Sequence, residues 1–122
     1  FAIYFLLIKH NLIIGGGRRF LCSYDLEKLT EQQMYSKFDK VNVSAISVNR
    51  NGSIIVGTFE GAVEIIDEGR RAVGEMLRPH VDAVMSIAAS PLNEYEFATS
   101  ARKDNYTYIF DLRSYQSHKF VN

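Results

Sequence analysis

The chain is 122 residues long, 47% hydrophobic and 23% charged, the composition of one ordinary globular domain. Its 14 Lys and Arg residues balance 14 Asp and Glu residues, which argues against a dedicated phosphate-neutralising nucleic-acid binder and against a polybasic membrane anchor. Cys22 is the single cysteine, so no internal disulfide can form, which fits a reducing compartment without requiring one.

In chain order, Phe1 to Ile8 is a continuous apolar run. It is shorter than the roughly 20 residues a bilayer span needs. It also lacks the basic flank and small-residue cleavage site of a signal peptide. A buried strand is predicted instead. The sequence starts without Met, and an internal piece of a longer chain is expected. Leu12 to Gly15 reads as a second strand, Gly16-Gly17-Arg18 as a turn and Arg19 to Tyr24 as a strand. Leu26 to Phe38 reads two ways. Leu26, Leu29, Gln33 and Phe38 loosely follow a helical face in a segment rich in Glu, Lys and Gln. The repeat register described below demands a loop and then a strand near Gln33 to Phe38, and this is the preferred reading.

Ser44 to Val48 alternates as a strand. Asn49-Arg50-Asn51-Gly52 is a turn, because Asn and Gly tolerate left-handed backbone. Ser53 to Phe59, rich in Ile and Val, is the next strand. Glu60-Gly61 is a tight turn and Ala62 to Ile66 a third strand. A loop, Asp67 to Arg71, precedes a fourth strand, Ala72 to Leu77. The same order follows again. Ala83 to Ala89 is a strand, and Ser90-Pro91-Leu92-Asn93 is its turn, since Pro cannot continue a central strand. Tyr95 to Ala101 is a strand and Asp104-Asn105 a turn. Tyr106 to Phe110 is a strand with Tyr106, Tyr108 and Phe110 on one face. His118 to Asn122 begins a fourth strand.

The three stretches are copies of one pattern. Ile13-Ile14-Gly15 precedes Asp25, Ile55-Val56-Gly57 precedes Asp67, and Phe97-Ala98-Thr99 leads into Asp111. Asp25, Asp67 and Asp111 are separated by 42 and 44 residues. A repeat of about 40–45 residues built from short strands is the signature of a propeller blade. The predicted fold class is all-β: a partial β-propeller of about three four-stranded antiparallel blades. The blade-like repeats are set at residues 1–39, 40–80 and 81–122 of one domain. Propellers typically close with four to eight blades, so a missing remainder is expected.

The segment His80-Val81-Asp82-Ala83-Val84, the apolar strand after it and Ser90-Pro91 resemble the start of a WD40 repeat. Phe97-Ala98-Thr99-Ser100, the turn residue Asp104 and Phe110-Asp111-Leu112-Arg113 continue the resemblance. It is strongest over residues 80–113, fair over 43–77 and weak over 1–39. The resemblance implies a structural set made of His80, Thr99, Asp104, Phe110 and Asp111. In the family, a His, a Ser or Thr, the turn Asp and a Trp form a buried hydrogen-bonded tetrad. This chain has no Trp. Phe110 takes its place, with Ile66 and Tyr24 in the earlier copies. Phe110 has no N–H to donate, so the network is expected to stop at Thr99.

No catalytic constellation is visible, and a non-enzyme without cofactor or metal is expected. His10, His80 and His118 lie far apart, and neither His-x3-His nor Cys-x2-Cys occurs. Cys22 lies on an alternating strand beside Phe20 and Tyr24 and reads as a small buried hydrophobe. Gly15-Gly16-Gly17 followed by Arg18-Arg19 lacks the Lys-Ser/Thr and the helix start of a phosphate loop.

Charge placement suggests a binding face. In a blade, the turns joining the second and third strands share one face of the disc with the loops that enter the first strands. Arg18, Arg19, Arg102 and Lys103 then share a rim, with Glu60 between them, while Arg70 and Arg71 face the other way. Arginine forks suit carboxylates and phosphates, so an acidic or phosphorylated peptide is the expected partner. The resemblance implies a non-catalytic, protein-binding WD40 scaffold in a multiprotein complex of the cytoplasm, with the nucleus as the alternative. No nucleic acid or membrane partner is expected. Two other readings remain at this point. Phe110-Asp111-Leu112-Arg113 resembles the Trp-Asp-x-Arg box of cullin-linked substrate receptors of ubiquitin ligases. The helical reading of Leu26 to Phe38 would suit a small mixed α/β enzyme or ligand-binding protein.

Overall fold

Turn residues and β-branched runs partition the chain into twelve strands among the residues that the structure, a computed structural model, describes: 3–8, 11–16, 20–25, 27–28, 30–34, 42–67, 72–73, 79–113 and 116–121. The first sheet is β1 (Ile3–Ile8), β2 (Asn11–Gly16), β3 (Phe20–Asp25) and β4 (Thr30–Met34). The second is β5 (Val43–Val48), β6 (Ile54–Thr58), β7 (Val63–Asp67) and β8 (Ala72–Val73). The third is β9 (Val84–Ala89), β10 (Glu96–Ala101), β11 (Tyr106–Asp111) and β12 (Gln116–Val121). Each sheet is a four-stranded antiparallel meander in chain order. No helix occurs among the described residues.

The first strands of the sheets lie innermost: β1 packs beside β5, and β5 beside β9. The second sheet is therefore covered on both faces, and every residue of Ile54–Thr58 is buried. That is why β6 reads as a continuous apolar run and not as an alternation. In the third sheet β10 buries only Phe97 and Thr99, the pattern of a sheet covered on one face.

The core between the second and third sheets joins Ala45, Ile55, Val63 and Ile65 to Val84, Phe97 and Phe110, with Ile87, Tyr108 and Leu112 packed at its margin. Phe97 and Phe110 are paired across β10 and β11 and stack with centroids 5.1 Å apart. Gly57 is where β6 meets β9. A Cβ there would stand 2.7 Å from Cβ and Cγ1 of Val84. Polar ties reinforce the junction. Ser44, at the register break of β5, donates its hydroxyl to the Val84 carbonyl at 2.6 Å. On the opposite end Arg50 Nη1 donates to Pro91 O at 2.8 Å, and Asn51 N to Glu94 O at 3.3 Å.

Two sequence expectations need correction. The fourth strand of the first sheet was expected near Gln33 to Phe38; it is Thr30–Met34, paired with β3 as far as Cys22 opposite Met34. Residues 35–40 lie outside the described residues. The helical reading of Leu26 to Phe38 fails for the same reason: Thr30–Met34 spends its backbone hydrogen bonds on β3. That removes the support for a mixed α/β protein. Elsewhere most strand ends shift by one residue, as at Val63–Asp67 and Val84–Ala89, and Gln116–Val121 begins two residues before the expected His118. Ala72–Val73 starts where the fourth strand of the middle copy was expected, and 74–78 lie outside the described residues.

Candidate protein-interaction site

The loop entering β9 runs between two turns, the β6–β7 turn on one side and the β10–β11 turn on the other. Its hydrogen bonds show why it is held. Asp104 Oδ1 accepts from Tyr106 N at 3.0 Å, closing its own turn. Its Oδ2 lies 2.8 Å from His80 Nδ1 and accepts from Val81 N at 3.4 Å. His80 Nε2 lies 2.8 Å from Thr99 Oγ1. An ionised carboxylate only accepts, so Nδ1 carries the proton in neutral His80, and Nε2 accepts from the Thr99 hydroxyl. The His80 side chain is fully buried. Burial pushes the Asp104 carboxyl up. The hydrogen bonds from His80, Tyr106 N and Val81 N outweigh it and hold the group below the usual carboxylate range.

The network ends at Thr99. Phe110 is buried against Phe97. The neighbouring Tyr108 sets its ring edge-on to His80, centroids 5.1 Å apart and planes at 90°. Tyr106, Tyr108 and Phe110 form an aromatic row along β11, with centroid spacings of 6.5 and 6.1 Å.

On the other side of the loop, His80 N donates to Gly61 O at 3.4 Å. Gly61 has φ +89°, and a Cβ there would run into the His80 carbonyl. His80, placed by the repeat limits at the end of the second copy, thus makes its side-chain bonds in the third sheet and its backbone bond to the second.

The charged residues divide as follows. Arg18 and Arg19 lie outside the described residues. Arg102 and Lys103 stand on the β10–β11 turn, both exposed. Arg102 N donates to Ala83 O at 2.9 Å, so this turn is also joined to the β9 loop. The sequence reading gave Arg102 no partner. In the structure its Nε and Nη2 donate to the Asp82 carboxylate at 3.3 and 3.2 Å. That pairing, with a bond from Ala83 N, holds the Asp82 carboxyl below its ordinary range. Lys103 makes no ion pair among the described residues and adopts φ 55°. Glu60 is exposed on the β6–β7 turn.

Asp111 and Arg113 occupy the other end of the sheet. Arg113 donates from Nε, Nη2 and its backbone N to the Asp111 carboxylate at 3.1, 2.7 and 2.9 Å. This pulls the Asp111 carboxyl down to about 2 and raises the guanidinium. The same guanidinium lies 5.2 Å from the centroid of the Tyr95 ring. Sequence reasoning missed the pairing of Asp82 with Arg102, because neither spacing nor periodicity reports which loop side chains meet.

No family model and no curated protein sequence matches the chain. Solved structures do. A chain in the crystal structure of the mitotic checkpoint complex superimposes with a TM-score of 0.87 at 15% identity, over 97% of this chain and 37% of that one. The structure of U3-55K gives 0.78 at 15% identity, over 92% of this chain and 34% of that one. The chain thus spans about a third of the length of these two structural relatives. The fold is all-β, a partial β-propeller with three four-stranded antiparallel blades among the described residues.

Proposed function

We propose that the chain serves as a non-catalytic protein-interaction platform, part of a WD40-type scaffold that assembles a multiprotein complex. The observation that carries this reading is the buried His80 tie. It fixes the loop before β9 between two turns, so the rim is presented already ordered and little conformational entropy is lost when a partner docks. Arg102 and Lys103, with Arg18 and Arg19 of the first copy, are the residues assigned to an acidic partner. Affinity purification of the protein with Arg102→Glu and Lys103→Glu tests it. The expected outcome is loss of partners with an unchanged melting temperature. Recovery of the same partners at wild-type yield would contradict it.

A second reading, substrate receptor of a cullin-type ubiquitin ligase, is favoured by one observation. Arg113 is exposed yet held by Asp111 and Tyr95. Arg113→Ala should abolish adaptor pull-down if this reading holds, and leave it unchanged if it does not.

A further inference from the structure

Among the described residues four large hydrophobic side chains are exposed, and two stand on the loop before β9 and the turn bonded to it. Val81, 83% exposed, follows His80 directly, and its N–H is bonded to Asp104. Phe59, 38% exposed, sits on the β6–β7 turn two residues before Gly61, whose backbone meets His80. Met85, 57% exposed, lies apart from them, on the face of β9 opposite buried Val84. The fourth, Leu92 at 91%, lies at the other end of the sheet on the β9–β10 turn. The polar groups beside Val81 and Phe59 are unequal. Arg102 already spends two donors on Asp82, which leaves Lys103 as the cation of this turn without an ion pair.

Lys103 also sits at φ 55°, where a glycine would be unstrained. A residue held at a cost to the backbone at such a place points to a role for its side chain.

We infer that this part of the rim, formed by Phe59, Val81 and Lys103, docks an extended segment of another protein that carries a large apolar side chain next to a carboxylate. The inference rests on the scaffold reading and names the partner's chemistry. The apolar side chain covers Val81 and its neighbours, and the carboxylate meets Lys103. One unpaired lysine matches a monovalent carboxylate. A phosphate dianion would need a second cation, and Asp82 holds Arg102 away from that task. Binding is then anchored by apolar contact on a pre-ordered surface, with one charge pair setting register.

The test uses a random dodecamer display library panned on the purified protein. Affinities of the selected peptides are then read by fluorescence anisotropy, and a thermal melt is recorded for every variant. Selected peptides should share a large apolar residue within a few positions of Asp or Glu. Val81→Ser should weaken them about tenfold. Lys103→Gly should weaken them about threefold while leaving the melt equal or higher, because the strained position is relaxed. Leu92→Ser should change neither. Panning that enriches nothing, or peptides indifferent to both Val81→Ser and Lys103→Gly, would overturn the inference. Peptides weakened by Arg102→Glu with Lys103→Glu but indifferent to Val81→Ser would overturn it and leave the scaffold reading standing. Peptides that respond only to Leu92→Ser would overturn both.

Discussion

His80 Nδ1 lies 2.8 Å from Asp104 Oδ2, across 24 residues of chain, with the imidazole shut away from water. The contact joins the loop before β9 to the β10–β11 turn, and Thr99 completes it from inside the sheet. His80→Ala takes the partner of the Thr99 hydroxyl away and removes one of the groups that Asp104 Oδ2 accepts from. The expected loss of stability is about 2–3 kcal/mol, read as a lower denaturant midpoint at constant slope. A loss within 0.5 kcal/mol, roughly the range of an ordinary surface substitution, would mean that the contact does not hold the loop.

The same carboxylate sets an acid dependence. Asp104 and Asp111 both sit below their ordinary values, Asp111 at about 2. Groups depressed by folding contribute stability above the unfolded value, near 4, and lose it as pH falls through the folded one. The melting temperature should be flat at neutral pH and fall progressively below about pH 4. Asp104→Asn should start lower at neutral pH and decline less over the acid range. A parallel curve for that variant would show that Asp104 is not depressed.

Gly57 and Phe110 test the packing between the second and third sheets. A Cβ at residue 57 overlaps Val84, so Gly57→Ala should cost roughly 1–3 kcal/mol by overpacking. Phe110→Ala empties a buried aromatic site stacked on Phe97 and should cost about 3–5 kcal/mol. Equilibrium denaturation checks both. A cost below 1 kcal/mol for Phe110→Ala would place that ring in solvent.

Asp82 restrains Arg102, so Asp82→Asn should free the guanidinium. Association of an acidic peptide should become faster and more sensitive to salt. The fold should be little changed, since the pair is solvent-exposed. Slower association for this variant would mean that Asp82 itself contacts the partner.

The blade order was legible because Asn-Gly, Ser-Pro and Asp-Asn turns punctuate Val- and Ile-rich runs, and because these recur at a fixed spacing. The third sheet was the clearest, since His80, Thr99 and Asp104 stand at motif positions that the fold brings within hydrogen-bond reach. Thr30–Met34 was misplaced by three residues because Thr-Glu-Gln-Gln-Met has little strand character of its own. Its pairing to β3 makes it a strand. The site was half legible. Basic residues at turns can be read from sequence, but the capture of Arg102 by Asp82 and the exposure of Val81 depend on how loops from separate strands meet.

The central claim is that a buried, hydrogen-bonded histidine fixes the interaction rim. Nitrogen chemical shifts of the His80 ring, measured by NMR on the purified protein at neutral pH, test it most directly. The expected spectrum shows a proton on Nδ1, slow to exchange because Asp104 holds it, and an Nε2 hydrogen-bonded to Thr99. A ring whose Nδ1 carries no proton, or one averaging between tautomers as in a solvent-exposed histidine, would contradict the claim.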